Sequence, residues 1–270
     1  MFAIFNSISM NILDKIIEHK REEVEVRKHM VPEAELRQTI YFKRPCLSLK
    51  QNLLKENATG IIAEFKRKSP SKGFINQYAD AATITHAYTQ FGASGLSVLT
   101  DNEFFGGSTQ DLAEARANEI PILRKDFIID PYQIVASKAM GADVILLIAA
   151  CLSVKEVKSL AAFAKQSGLE VLLELHDESE LHHICDDVDM VGVNNRNLKT
   201  FEVDINQSLK LAKKIPADKV KIAESGIDSI ETIRLFKEAG FKGFLMGEKF
   251  MKENDPGQAF KIFAESLNQS

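Results

Sequence analysis

Eight short apolar runs recur along the chain, each followed by a stretch of helical periodicity, and several of those stretches stop at a glycine. Together they predict an α/β chain folded as a single closed (β/α)8 barrel, a TIM barrel, with an N-terminal helical extension. Length agrees, because one core stops growing at about 250–300 residues. The 270 residues are expected to divide into an extension, 1–58, and a barrel, 59–270, that make one structural domain.

The elements follow in order. Asn11 is placed to cap a helix from Ile12 to about Lys28, whose apolar positions recur at helical spacing. Pro32 opens a second short helix, and Leu47 to Leu54 a third that ends near Asn57 and Gly60. The apolar runs are Ile61–Ala63, Leu96–Leu99, Ile120–Leu123, Val144–Ile148, Val171–Leu173, Met190–Val193, Val220–Ala223 and Phe244–Met246. Helical patterns separate them at Ala81–Phe91, Thr109–Ala117, Tyr132–Met140, Val154–Gln166, Glu178–Cys185, Ile205–Lys213 and Ser229–Glu238, with a last one at Pro256–Leu267. Gly92, Gly141, Gly168 and Gly240 stand where left-handed helix stops are expected. Near-continuous apolar strands alternating with amphipathic helices imply parallel strands covered on their outer face. A doubly wound open sheet is the alternative, weakened because no G-x-G-x-x-G follows the first strand.

The composition narrows the function classes. With 45% hydrophobic and 27% charged residues, the chain is neither disordered nor a disulfide miniprotein. The longest apolar run, Val144–Leu152, is less than half of the roughly 20 residues that span a bilayer. The formal charge of −4 argues against a general nucleic-acid binder, which needs a basic face. Cys46, Cys151 and Cys185 are far apart and lack C-x-x-C spacing, so buried thiols in a reducing cytoplasm are expected. Met1–Met10 lacks the basic start and cleavage site of a secretory signal and reads as a frayed leader, with either Met1 or Met10 as the start.

In a barrel, chemistry gathers where strands give way to their following loops. Those positions carry Glu64 and Lys66, Thr100 and Asp101, Lys125 and Asp126, Glu174 and His176, Asn194 and Arg196, Glu224 and Ser225, and Gly247 and Glu248. Glu64 and Lys66 lie two apart on a strand and share a face, so they can pair or share a ligand. A lone strand-end charge often just turns to water, but a convergent set of acids, amines and an amide is not readily explained that way. The basic loop Arg67–Gly73 is longer than usual between strand and helix; it is either a lid that attracts an anion or a solvated loop. Phe104 and Phe105 are core residues or a flat wall for an aromatic ligand. Glycines at Gly226 and Gly247, after the last two strands, suggest a phosphate held by backbone amides. The adjacent His182 and His183 cannot share a helix face, and neither a metal set nor a G-x-S-x-G elbow emerges.

The segment Ile62–Gly73, reading IAEFKRKSPSKG, closely resembles the first-strand signature of indole-3-glycerol-phosphate synthases. Five further segments are similar to the same family in the same order: Ser97–Asp101 with Phe104–Ser108, Leu123–Phe127 with Tyr132-Gln133, Gly192–Leu198, Glu224–Ile227, and Leu245–Glu248. The early helix Ile12–Ile16 also fits, so the resemblance spans nearly all of the chain after Met10.

The resemblance implies ring closure of 1-(2-carboxyphenylamino)-1-deoxyribulose 5-phosphate, with loss of carbon dioxide and water, to indole-3-glycerol phosphate in tryptophan biosynthesis. By the same resemblance Lys125 is the general acid at the ketone, Glu174 the general base, and Lys66 the carboxylate holder and dehydration acid. Glu64 orients Lys66, and Asn194 and Ser225 bind substrate hydroxyls. Ser69 and Arg196 contact the carboxylate and phosphate side, and Phe105, Phe127 and Leu146 wall the aromatic ring. Gly226, Gly247 and the amide of Glu248 form the phosphate site. Many relatives carry serine at Glu248, and a carboxylate there repels phosphate. The N-terminal helix is implied to lie near the mouth and exclude water. No cofactor or metal is implied, and a cytoplasmic monomer with at most weak association to other tryptophan-pathway enzymes is expected. The absence of Trp beside 17 Phe would suit an enzyme needed when tryptophan is scarce.

Two other classes fit a phosphate-binding barrel. A phosphoribosylanthranilate isomerase-like enzyme would use a Cys/Asp pair, and no cysteine stands at the first strand's end. A non-enzymatic ligand sensor would have lost the lysines and glutamates at the mouth.

Overall fold

The structure is a computed structural model that describes residues 11–197 and 200–269. The expected leader, Met1–Met10, lies outside the described residues.

Helix α1 (Ile12–Met30) starts at Asn11, whose side chain accepts a hydrogen bond from the Asp14 amide, and its last turn carries Arg27 and Lys28, cations that suit a helix C-terminus. Helices α2 (Glu33–Leu36) and α3 (Leu49–Leu53) complete the extension. Then come β1 (Ile61–Phe65), the short antiparallel hairpin β2 (Lys68–Ser69) and β3 (Gly73–Phe74), α4 (Ala81–Gln90), β4 (Gly95–Leu99), α5 (Thr109–Ala115), β5 (Ile122–Lys125), α6 (Pro131–Met140) and β6 (Val144–Ile148). The second half runs through α7 (Val154–Gln166), β7 (Glu170–Leu175), β8 (Met190–Asn194), α8 (Ile205–Ala212), β9 (Val220–Glu224), α9 (Ile230–Glu238), β10 (Phe241–Met246), α10 (Glu248–Met251) and α11 (Pro256–Asn268). Strands β1 and β4 to β10 close into an all-parallel eight-stranded barrel. All four expected glycine stops have positive φ, between 78° and 94°.

Three expectations shift. The third barrel strand is Ile122–Lys125 rather than Ile120–Leu123, because Pro121 has no N–H for the ladder. That shift puts Lys125 at the strand's last position. The segment expected as helix Glu178–Cys185 is a 3₁₀ turn, Glu178–His183. Its steeper rise, about 2.0 Å per residue against 1.5 Å, covers more length on the short path to β8. Cys46, Cys151 and Cys185 are free but only half-buried: Cys46 and Cys185 sit in connections, and Cys151 ends the short 3₁₀ turn Ala149–Cys151 that follows β6.

Alternation along the strands divides the interior. Ile62, Leu123, Leu146, Leu172, Met190 and Ile222 belong to one inner cluster, which α3 plugs from the strand-start end with Leu49 and Leu53. The complementary strand residues form the larger layer beneath the outer helices. Glu170 anchors the plug by accepting the Leu49 and Lys50 amides at 2.8 and 3.1 Å.

Helix α1 is fastened at the opposite end by Lys20, which is only 1% exposed. Its ammonium lies 2.9 Å from both Asp101 and Asp126 and 2.6 Å from Glu23. Burial opposes its charge, but these carboxylates outweigh burial and hold the ammonium above the usual lysine range. Removing one partner of such a buried set leaves uncompensated charge. Lys20→Met is therefore expected to destabilise the fold by about 3–5 kcal/mol, read from urea denaturation. A loss below about 1 kcal/mol would mean that water reaches the carboxylates.

Candidate active site

The alternation that fills the barrel also delivers its chemistry. Two residues beyond the inner residues Ile62, Leu123, Leu172 and Ile222 stand Glu64, Lys125, Glu174 and Glu224, and all four line one cavity at the strand C-terminal ends. That cavity holds about 330 Å³. Every expected site residue lines it: Glu64, Lys66, Ser69, Phe105, Lys125, Phe127, Leu146, Glu174, Asn194, Arg196, Ser225, Gly226, Gly247 and Glu248. Ile12, Leu13 and Ile16 of α1 complete the wall.

At the centre the Lys125 ammonium donates to Glu174 at 2.7 Å and to Glu224 at 2.8 Å. Across the cavity Lys66 pairs with Glu64 at 2.7 Å. Asn194 donates to the second oxygen of Glu174 at 3.1 Å, and its own oxygen accepts the Arg196 amide at 3.0 Å. Two glycines make room for the acids. A Cβ on Gly192 would lie 2.2 Å from a Glu224 oxygen, and one on Gly247 would lie 2.8 Å from a Glu64 oxygen. Ser225 has φ 65°, a region rarely adopted by residues other than glycine, and Gly226 follows at 67°.

The loop after β1 is neither fully solvated nor wholly turned to ligand. Arg67 is committed to the fold through two hydrogen bonds to Asp111, at 2.6 and 2.8 Å. Lys68 donates to the Glu103 carbonyl. Ser69, Pro70 and Ser71 face the cavity, and the buried Ser69 hydroxyl has no protein partner. The two phenylalanines also divide. Phe104 packs edge-on against His19 of α1, whereas Phe105 and Phe127 stand in the cavity with ring centroids 6.0 Å apart.

Electrostatics separate the two carboxylates on Lys125. Burial raises the Glu174 pKa, but Lys125 and His176 outweigh it and hold the carboxyl well below the usual range. His176 Nε2 lies 3.0 Å from Glu174, off hydrogen-bond alignment; burial lowers its pKa, but Glu174 and Glu180 lift it to about 10. For Glu224, burial and the neighbouring Glu174 prevail over Lys125 and push it up to about 7. Lys125 itself is disfavoured by burial, yet Glu174, Glu224 and Glu64 hold it well above the usual lysine range. The mouth thus combines a permanently charged ammonium, a firmly ionised carboxylate and a carboxyl that titrates near neutrality, a set suited to acid–base chemistry.

Glu224 was given no role on sequence grounds, although two-residue alternation from Ile222 points it inward. Its raised pKa has a measurable consequence. From about pH 4.3, where an ordinary glutamate ionises, up to about 7, the folded state keeps a proton that the unfolded chain releases. Stability contributed by this site therefore falls as pH rises through that window. The stability of wild type minus that of Glu224→Gln is expected to drop by on the order of 3 kcal/mol between pH 4 and pH 8. A flat difference in urea titrations would contradict the assignment.

Comparison with known proteins follows the same lines. Residues 13–263 match the family model of indole-3-glycerol phosphate synthase. The chain is 46% identical to the indole-3-glycerol phosphate synthase of Bacteroides thetaiotaomicron over 258 residues, covering 95% of this chain and 99% of that one. It is 44% identical to that of Bordetella pertussis over 252 residues, covering 92% and 96%. Among solved structures, the tryptophan synthase alpha subunit of Legionella pneumophila superposes with a TM-score of 0.60 at 16% identity, covering 82% of this chain and 97% of that one. The 3-hexulose-6-phosphate synthase of Salmonella typhimurium gives 0.56 at 14%, covering 78% and 99%. At such identities these two speak for the barrel alone.

Proposed function

The chain belongs to the indole-3-glycerol phosphate synthase family, and from that premise we propose how its own residues divide the work. The enzyme is a carboxy-lyase of tryptophan biosynthesis that closes the ring of 1-(2-carboxyphenylamino)-1-deoxyribulose 5-phosphate and releases carbon dioxide and water.

Lys125 protonates the ketone oxygen as the carboxylate-bearing ring carbon attacks the ketone carbon. The observation that carries this reading is the Lys125 ammonium held between Glu174 and Glu224 at the cavity centre. A lysine of raised pKa stays charged at neutral pH, and the alkoxide that forms is basic enough to take its proton. Loss of carbon dioxide returns the bonding pair to the ring. Lys66, oriented by Glu64, holds the substrate carboxylate together with the unpartnered Ser69 hydroxyl. It then donates the proton that lets the hydroxyl leave as water, while Glu174 accepts a proton from the ring system. Asn194 steadies Glu174 and, with Ser225, binds substrate hydroxyls. Phe105, Phe127 and Leu146 offer apolar walls to the aromatic ring. Arg196, Gly226, Gly247 and the Glu248 amide form the phosphate end.

The proposal includes a cytoplasmic monomer, weakly associated at most with other enzymes of the pathway, built as an extension 1–58 on a barrel 59–270. Incubating the purified protein with the carboxyphenylamino substrate is expected to produce indole fluorescence. Substrate that persists unchanged would refute the activity, and its conversion without indole to the isomeric aldose-level N-glycoside would indicate an isomerase.

The extension contributes Ile12, Leu13 and Ile16 to the cavity wall. Deleting residues 1–45 keeps the α3 plug and its Glu170 anchor. The truncated barrel is expected to fold with lower stability and to raise KM by roughly tenfold or more, the scale of one lost apolar contact. Unchanged KM in a folded truncation would remove α1 from the site.

A further inference from the structure

Glu248 poses a chemical problem, because it stands at the phosphate end of the cavity and carries a negative charge. Its carboxylate is nevertheless engaged. The Lys72 ammonium, at the turn between β2 and β3, lies 2.5 Å from Glu248 Oε1. The two residues are 176 positions apart in sequence, so the pair ties the loop after β1 to the start of α10, just beyond β10, across the cavity mouth. Ser69, Pro70 and Ser71 of the same hairpin and Gly247 beside Glu248 all line the cavity.

Three cations, two from the segment after β1 and one from the loop after β8, act on this one carboxylate. Burial opposes its ionisation, but Lys72, Lys66 and Arg196 prevail and lower its pKa. Lys66 and Arg196 line the same cavity, so the charges there favour an anion, and Glu248 supplies that anion from within the chain. A carboxylate and a phosphate monoester both present anionic oxygens to an ammonium, so they compete for it.

We propose that Glu248 is an internal competitor for the substrate's phosphate: in the free enzyme its carboxylate holds the β2–β3 hairpin across the mouth through Lys72, and the incoming phosphate displaces it and takes over Lys72. This rests on the placement of phosphate beside Gly226 and Gly247. Glu248 is then an affinity-determining residue. It weakens phosphate binding, for product as for substrate, and keeps the hairpin docked while the site is empty. A serine at this position would leave Lys72 free for the ligand and the empty hairpin untethered.

The lack of tryptophan supplies the assay. Phe74 on β3 is 55% exposed, so Phe74→Trp gives the full-length enzyme a single tryptophan, excited selectively over its four tyrosines, on the hairpin. In that background, Glu248→Ser, Lys72→Met and the double variant are compared by the inhibition constant of inorganic phosphate against substrate and by fluorescence anisotropy with and without phosphate. Glu248→Ser is expected to tighten phosphate inhibition about tenfold, the worth of about 1.4 kcal/mol. The same substitution made on Lys72→Met should change it less than about threefold. Anisotropy of the free protein should fall in both single variants and be restored by phosphate in Glu248→Ser alone. Equal inhibition constants and equal anisotropies across variants, with phosphate still competing, would overturn the competitor role and leave the phosphate site standing. Phosphate that competes in none of the proteins would overturn both.

Discussion

Lys125→Ala is expected to lower kcat at least about a hundredfold, the low end for loss of general acid catalysis. The effect should fall on kcat more than on KM, because the ketone oxygen gathers charge only as the ring closes. The substitution also strips Glu174 and Glu224 of the ammonium they share at 2.7 and 2.8 Å. Two buried carboxyls without their cation do not both stay ionised, so one should take up a proton and the folded variant should be less stable at pH 8 than at pH 5. That second reading separates chemistry from collapse. A folded Lys125→Ala protein with near-wild-type turnover would refute the assignment whatever its stability.

Glu174→Gln is expected to cost a similar factor in kcat, about a hundredfold or more, by removing the base. Glutamine keeps one oxygen, enough to accept from the Lys125 ammonium, and gives up the second, which accepts from the Asn194 amide. The larger change is in charge. His176, held at about 10 by Glu174 and Glu180, loses the larger of its two supports, and its pKa should fall toward the ordinary histidine range. An NMR titration of the His176 ring would register this even in an inactive protein. If kcat survives while the His176 titration moves, Glu174 is an electrostatic neighbour and the base lies elsewhere, with Glu224 next in line.

The barrel was legible because its signals are local. Apolar runs such as Val144–Ile148 declare a buried strand wherever they fall, and capping residues such as Asn11 and the glycine stops mark helix ends without long-range help. The misplaced third strand shows the limit of that reading. The apolar run began at Ile120, but the ladder admits residues by N–H availability, and Pro121 has none to give. The 3₁₀ turn at Glu178–His183 shows the same limit, since the distance to the next strand governs its pitch.

For the site, the residue types and their strand-end positions were present in the sequence, and the family motif assigned them roles. Two-residue alternation even held an unused clue to Glu224, which stands above Ile222. Pairing was a different matter. Nothing local says that Lys125 sits between Glu174 and Glu224, that Lys20 crosses to Asp101 and Asp126, or that Lys72 meets Glu248. Sequence by itself determined the fold class, the family and the inventory of acids and bases at the mouth, because each depends on short-range pattern. Only the tertiary structure decided which charges share a proton, which are locked into the scaffold and which face the ligand, because Coulomb energy and desolvation depend on distance and burial, and barrel closure sets both.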